Sequence, residues 1–347
     1  MRNFLPIAQR LHYENYVADA HLDLAGEILL RHQAGESGVI RKYYLDNFRQ
    51  AGIDLIFSAI YVDGSVLPEA GLKNALAQIA ALNHDLTYIA DDVMLVKTRS
   101  DLERAKKQGK IAIILYAEGL DFINTDLFLL DILYDLGVRG ASLTWSRRNM
   151  LASGCCRAVE KKDIPGGLSE HGFAALKKLA QLSCFVDVSH LNDDGFADVL
   201  ATTDKPFIAT HSNARAIYDS YRNLTDEQII SIGQRGGLIG INACSLITGS
   251  CIDGYHLESL VRHIEHITKL IGSHRVCYGF DLCNSYTLAE PRLNPKPTLY
   301  DCFESHREMP LLTAMLLERG MEENEAIGII GRNLREFIAD YLPCSYL

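Results

Sequence analysis

A chain of 347 residues with 48% hydrophobic composition can bury a large core, as one big α/β barrel or as two ordinary domains. Its formal net charge of -10 and pI near 5.6 exclude a surface built for nucleic acid or for a polybasic hold on membranes, because phosphates and anionic lipids are repelled by such a field. A small molecule is the default partner. No segment offers the 18 or more uncharged apolar residues of a membrane helix, and MRNFLPIAQRLHYENY at the start reads as neither secretory signal nor anchor. Nine cysteines without CxxC spacing, two of them adjacent at Cys155 and Cys156, point to reduced thiols in a cytoplasmic protein. The NLT sequon at Asn223 is then a chance match.

Short β-rich apolar runs recur along the chain, each followed by a stretch of helical character. The predicted strands are YVADAHLD (16–23), DLIFSAIYV (54–62), KIAIILYAEG (110–119), GVRGASLTW (137–145), CFVDVSHL (184–191), PFIATHS (206–212), GGLIGINA (236–243) and RVCYGFDL (275–282). Between them, KYYLDNFRQAG closes on Gly52 and residues 68–92 carry a long helical pattern. Ser100 and Glu103 form a capping box before LERAKKQG, and Thr225 and Gln228 form another that opens DEQIISIGQRGG. HLESLVRHIEHITKLIG has apolar residues at helical spacing. Strands alternating with helices mean parallel βαβ units. Eight units in roughly 280 residues match a closed (β/α)8 TIM barrel, about 250 residues in its usual form. An open doubly wound sheet would show a Gly-rich phosphate turn, and neither GxGxxG nor a P-loop occurs. No repeat, low-complexity segment or Pro/Gly-rich linker marks a boundary, so residues 1–347 read as one barrel domain. Residues 286–310, with Pro291, Pro295, Pro297 and Pro310, read as a long loop and the remainder as C-terminal helices.

In a barrel of this kind the chemistry sits where the strands end. The first strand ends in His21 and Asp23, which project together because they are two apart. The third ends in Glu118, the fifth in His190, the sixth in His211 and the eighth in Asp281. Singly, each has an ordinary explanation: a strand-end histidine is more often a hydrogen-bonded structural group than a ligand, Glu118 before glycine is a turn residue, and Asp281 is a helix N-cap. Together, three histidines and three carboxylates in one barrel mouth are costly without a partner that neutralises them. Neutral imidazoles with carboxylates suit zinc or a similar divalent ion. Five ligands exceed one tetrahedral catalytic zinc, whereas two ions about 3.5–4 Å apart, bridged by a carboxylate, accommodate them. His21 and Asp23 are assigned to one Zn2+, His190 and His211 to the other, and Glu118 to the bridge. Asp281 is left for acid/base work.

Other residues carry weaker patterns. His263 and His266 form HxxH in a helix without the HExxH of metalloproteases, and read as a solvated helix face. His12, His32, His84, His171, His256, His274 and His306 lack partner spacing. Cys283 has no histidine beside it to act as base, and no GxSxG elbow occurs.

HxD at His21 and Asp23, AEG at Glu118, VDVSH at His190, ATHSNARAIYDSYRNLTDEQI at 209–229, GGLIGIN, HITKLIGSHRVCYGFD and LLERGMEENEAIGIIGRNLREFI resemble the membrane (renal-type) dipeptidases, peptidase family M19, from about residue 17 to 340. The resemblance implies a (β/α)8 barrel of the metal-dependent hydrolase type with a binuclear zinc centre. It implies hydrolysis of dipeptides, often with tolerance for a D-residue at the C-terminal position, and a homodimer. By matching positions it implies the same five metal ligands, Asp281 as proton-handling group, and Arg222 as receiver of the substrate's terminal carboxylate. A permanently charged, bidentate guanidinium suits that task. Two departures stand out. Where the family carries a histidine that contacts the substrate carbonyl or oxyanion, this chain has Trp145, whose indole donates but cannot titrate; oxyanion stabilisation then falls to a metal, Arg147 or Arg148. GFDLCN keeps Asp281 but has Cys283 and Asn284 in place of a second aspartate and a glycine. Arg222, Trp145 and Asn242, the last at the end of the seventh strand, make up the expected substrate-binding set. The rival substrates are an N-acyl amino acid, a β-lactam or a cyclic amide, and the rival class is a non-catalytic binding protein, against which the retained ligands count.

Overall fold

Apolar runs buried along their whole length belong inside a parallel sheet covered on both faces, and these runs form one. The computed structural model describes residues 4–155, 165–249, 257–289 and 301–345. Among them are nine strands: β1 (Val17–Leu22), β2 (Ile53–Tyr61), β3 (Val93–Leu95), β4 (Ile111–Glu118), β5 (Val138–Ser142), β6 (Phe185–Asp187), β7 (Ile208–Ala209), β8 (Leu238–Ile241) and β9 (Val276–Tyr278). Eight of them, all parallel, follow one another in the order β1-β2-β4-β5-β6-β7-β8-β9 with helices between. Spatial order thus repeats chain order, as in a (β/α)8 barrel.

β3 departs from the eight predicted strands. It pairs with Ile111–Ile113 at the start of β4, on a flank that β5 takes over from Leu115 onward. Three residues are too few for alternation to show in a sequence. The 68–92 pattern before it is the helix Gly71–Leu86.

The seam between β9 and β1 is closed by a side chain as well as by backbone. Phe280 N–H donates to Asp19 Oδ1 at 3.0 Å, and Asp281 N–H donates to the His21 carbonyl at 3.3 Å. Asp19 Oδ2 meets His306 Nε2 at 2.9 Å. A buried carboxylate therefore replaces part of a ladder.

Alternation along β4 divides the core into two layers. Ile111, Ile113, Leu115 and Ala117 join the outer cluster under the helices. Ala112, Ile114 and Tyr116 join the inner one with Ala18, Ala20, Leu55, Phe57 and Phe185, and the same period carries Glu118 inward. Phe57 and Phe185 stack with centroids 5.4 Å apart, and Phe337 and Tyr341 of the helix Asn333–Tyr341 pack against Phe185. In β1 the register slips between Asp19 and Leu22. Ala18 and Ala20 face inward while Leu22 faces the outer layer, so the slip is what turns His21 toward the mouth. A Cβ at Gly240 or Gly279 would lie 1.9 or 1.8 Å from the Thr210 carbonyl oxygen; only glycine allows this approach.

The capping box at Thr225 and Gln228 heads the helix Asp226–Gln234 as expected. The other forms at Thr98 and Asp101, two residues before the predicted Ser100 and Glu103, because a Thr/Asp pair satisfies the same reciprocal bonds. Gly52 ends the helix Leu45–Ala51 with φ 74°. The expected loop over 286–310 is broken by structure at both ends: Asn284–Ala289 is helical, and Pro310 lies in the first turn of Met309–Glu318. Pro291, Pro295 and Pro297 lie outside the described residues, as do Cys156 and His256. No helix among the described residues is long and apolar enough to cross a membrane.

The HxxH histidines are not a solvated face. His263 is buried, with Nδ1 accepting from Ala214 N–H at 3.2 Å and Nε2 donating to the Thr248 carbonyl at 3.2 Å. His266 reaches Asp226 at 2.8 Å. His12 is buried too. Its Nδ1 donates to the Ala51 carbonyl (2.9 Å), and its Nε2 lies 2.8 Å from Thr313 Oγ1.

Burial lowers the His12 pKa to about 4, against a smaller opposing effect of the Ala51 carbonyl. The unfolded chain therefore takes up a proton at pH values where the folded chain does not. This contribution to stability is full above about pH 6.5 and shrinks as pH falls toward 4. In urea titrations, the loss of unfolding free energy between about pH 7 and pH 4.5 is expected to be smaller in His12→Gln than in the parent by about 2.5 kcal/mol.

Candidate metal centre

Parallel strands deliver their C-terminal ends to one side, and the ligand-type residues collect there. Glu118 is the last residue of β4, His21 lies near the end of β1, and Asp23 sits at the N-cap position of the following helix Leu24–Gln33 without a side-chain capping bond. His190, His211 and Asp281 lie just past β6, β7 and β9. These strands stop early because side chains take their backbone bonds. Asp187 Oδ1 accepts from Ser189 N–H at 2.9 Å and Thr210 N–H at 3.0 Å, and Asp19 Oδ1 accepts from His21 N–H at 3.1 Å. His190 and Asp281 then turn through left-handed conformations, φ 71° and 55°, which a non-glycine residue adopts only when its surroundings enforce it.

Glu118 is the centre of the arrangement. Its Oε1 lies 2.9 Å from His190 Nε2 and 3.3 Å from His211 Nε2, while Oε2 lies 4.0 Å from His21 Nε2. The His190 and His211 Nε2 atoms are 2.9 Å apart, and the His21 and His211 rings lie 3.7 Å apart. Ligand atoms of His21, Asp23 and Glu118 fall within 4.8 Å of one another; so do those of Glu118, His190 and His211, and those of His21, His211 and Asp281. The first two groups share Glu118, as a bridging carboxylate would require.

Each imidazole is held through its other nitrogen by a hydroxyl. His21 Nδ1 bonds Tyr116 OH from the aromatic layer below, and His190 Nδ1 bonds Ser146 Oγ at 2.8 Å. Thr210 Oγ1 donates to Asp187 Oδ2 at 2.6 Å, so it accepts from His211 Nδ1–H at 2.7 Å. The tautomer of His211 follows: Nε2 carries a bare lone pair aimed at Glu118. Such outer partners fix the orientation and basicity of a metal-ligating histidine.

Electrostatics give the same reading. Burial, with the Arg222 and His21 charges, holds His190 and His211 well below the usual histidine range, so both are neutral donors. Burial disfavours charge on His21 as well, but Asp281 and Glu118 outweigh it and hold its pKa up to about 10. Burial raises Glu118 well above the carboxylate range and lifts Asp23 to about 6, against the pull of His21. Burial also works against the charge on Asp281, yet His21 and Asn242 keep it below the usual range. Lone pairs of the neutral His190 and His211 thus face a buried carboxyl, and Asp23 Oδ1 is buried with no hydrogen-bond partner. Divalent cations fit this donor set and remove its repulsions.

The remaining predicted residues sit nearby. Arg222 is buried, with Nη1 donating to Ser212 Oγ and Nη2 to the His211 carbonyl, each at 2.8 Å. Asn242, expected to face substrate, spends its side chain inside the protein: Nδ2 donates to Asp281 Oδ2 at 2.9 Å and Oδ1 accepts from Cys244 N–H at 2.6 Å. Trp145 lies 5.6 Å from the His190 ring at 30°. Arg147 is engaged with Asp121 Oδ1 (2.8 Å) and the Val62 carbonyl (2.7 Å), and Arg148 with Ser153. Cys283 donates to the Asp281 carbonyl at 3.2 Å, and Asn284 N–H donates to Asp301 at 2.9 Å. Sequence reasoning missed Asp19, Tyr116, Ser146, Asp187 and Thr210. The aspartates had left a trace, since VADAH and VDVSH each place a charge inside an otherwise apolar strand.

A parallel eight-stranded barrel with metal-ligand side chains at its C-terminal mouth defines a metal-dependent hydrolase. Over residues 6–339 the chain matches the membrane dipeptidase family, peptidase family M19, and it belongs to that family of peptide-bond hydrolases. It is 30% identical over 208 residues to an uncharacterized protein in the pqqA 5'region of Klebsiella pneumoniae, covering 59% of this chain and 77% of that one. It is 24% identical over 287 residues to dipeptidase tcpJ of Claviceps purpurea (strain 20.1), covering 80% of this chain and 64% of that protein, so it spans just under two thirds of that relative. Its fold is similar, with a TM-score of 0.82 and 24% identity, to a metallo peptidase from Rhodobacter sphaeroides liganded with a phosphinate mimic of the dipeptide L-Ala-D-Ala, covering 94% and 99% of the two chains.

Removing the hydroxyl that fixes His211 loosens its ring without removing a ligand. Thr210→Val is expected to weaken Zn2+ binding by about 10- to 100-fold in competition with a chromophoric chelator, with an unchanged circular dichroism spectrum.

Proposed function

We propose that the chain is a dipeptidase that works with two zinc ions, one held by His21 and Asp23, the other by His190 and His211, with Glu118 shared. The observation that carries this reading is the split of the Glu118 carboxylate between the two donor groups, with Asp281 Oδ1 3.3 Å from His21 Nε2 beside them. When bound, the ions supply a water made nucleophilic near neutral pH and polarise the scissile carbonyl.

The rest is the work of this chain's own side chains. Asp281 is ionised at neutral pH, accepts the proton of the attacking water and returns it to the leaving amine. Asn242 orients it through Oδ2 and so acts as a positioning residue. Arg222 receives the substrate's terminal carboxylate, its plane fixed by Ser212 and the His211 carbonyl, which selects short substrates with a free C-terminus. Tolerance for a D-residue at the C-terminal position is supported by the L-Ala-D-Ala mimic on the Rhodobacter sphaeroides relative. The described cysteines are free thiols, in accord with a cytoplasmic protein, and the assembly is a homodimer.

Zinc-loaded protein is expected to cleave L-L and L-D dipeptides and to leave N-acyl amino acids and β-lactams intact; the reverse pattern would overturn the substrate class. Asp281→Ala should lose turnover by at least about 100-fold while plasma mass spectrometry still finds two zinc ions per chain. Arg222→Ala should raise KM for dipeptides by about 10- to 100-fold.

A further inference from the structure

We propose that Tyr61 and Trp145 form an aromatic wall that selects dipeptides by the side chain of their first residue, favouring aromatic and large apolar groups. The inference rests on the dipeptidase reading of the site and adds to it a substrate preference.

Register places the wall. Tyr61 ends β2 directly opposite Glu118, and register partners in a parallel ladder point to the same face. Ser142 at the end of β5 is opposite Glu118 from the other side, and Trp145 follows it by three residues. Both rings are half-buried. Their centroids are 5.2 Å apart at 48°, and Trp145 in turn stacks on the zinc-ligand candidate His190.

The wall is held rigid and neutral. The Arg147 guanidinium lies 5.3 Å from the Trp145 ring and 5.7 Å from the Tyr61 ring, while its ion pair with Asp121 at 2.8 Å compensates its charge. Such a surface rewards a flat or apolar partner and offers nothing to a charged one.

Barrel order decides which substrate residue meets it. Arg222, Asn242 and Asp281 follow β7, β8 and β9, on one arc of the mouth. Tyr61 and Glu118 end β2 and β4, and Trp145 follows β5, on the arc across from it. A dipeptide with its carboxylate on Arg222 and its leaving amine at Asp281 lays its C-terminal residue over the first arc. Its N-terminal side chain then falls against Tyr61 and Trp145.

Trp145 is the sole tryptophan of the chain, so indole fluorescence reports this wall alone. Zinc-loaded protein is titrated with phosphinate analogues of Phe-Ala and Ala-Ala, and kcat/KM is measured for Phe-Ala, Ala-Ala, Asp-Ala and Ala-Phe. The Phe-Ala analogue is expected to shift the fluorescence and bind about 10- to 100-fold more tightly than the Ala-Ala analogue, with a similar ratio in kcat/KM carried mainly by KM. Trp145→Ala should shrink the ratio to about threefold or less, and Trp145→Phe should keep most of it. Equal handling of Phe-Ala and Ala-Ala, a preference that follows the second residue, or a ratio unchanged in Trp145→Ala would overturn the wall while leaving the dipeptidase reading in place. Tight, fluorescence-reported binding of the Phe-Ala analogue without cleavage of any dipeptide would uphold the wall and overturn the dipeptidase reading.

Discussion

Glu118 stands between the His21–Asp23 pair from β1 and the His190–His211 pair from β6 and β7, buried and with one oxygen toward each. A carboxylate in that position is costly unless positive charge lies on both sides of it. Arg222 acts on it electrostatically, but its guanidinium is tied to Ser212 and the His211 carbonyl. His190 and His211 are neutral and supply none, and of the three histidines only His21 is held in its charged form, by Asp281 and Glu118. The chain has therefore built a mouth whose electrostatics are incomplete as protein alone, and divalent ions are the economical completion.

The scaffold below the mouth works to keep that incomplete site from relaxing. Tyr116 belongs to the apolar interior through its ring and to the site through its hydroxyl. Thr210 carries the negative end of Asp187 to His211 without placing another carboxylate among the ligands. Hydroxyls suit these contacts because the pocket already holds Asp23, Glu118 and Asp281, and a further anion in direct contact would raise the repulsion among them. The two aspartates that do lie inside the strands, Asp19 and Asp187, face backbone N–H groups instead, and their charge is spent on closing the barrel and ending its strands.

How much of this was legible follows from the range of the forces involved. Burial of whole apolar runs is a property of contiguous residues, so the eight barrel strands could be read, and a ligand that terminates a strand can be read with it. β3 escaped because three residues carry no period, and Thr98 displaced Ser100 as helix cap because both satisfy the same local pattern. His263 looked solvated because helical spacing says which residues share a face but not what covers it; the covering group is the loop around Thr248 and Ala214. The bond from Asn242 to Asp281 could not be read, since the two are 39 residues apart in sequence. Tyr116 gave no sign of its role, for an aromatic residue in an apolar strand is what any barrel core contains.

The division between fixed and variable parts of the mouth has a geometric origin. β1, β4, β6 and β7 supply the five candidate metal ligands and β9 supplies the aspartate beside them, and ligand distances tolerate little movement. β2, β5 and β8 supply none. Tyr61, Trp145 and Asn242, at or just past the ends of these strands, offer no ligand atom to the candidate donor groups. Asn242 is bonded to Asp281, which leaves the ends of β2 and β5, on either side of β4, as places where side chains can differ without removing a donor. Trp145, three residues past the end of β5, therefore stands where the barrel can vary its mouth without removing a donor of the candidate metal centre.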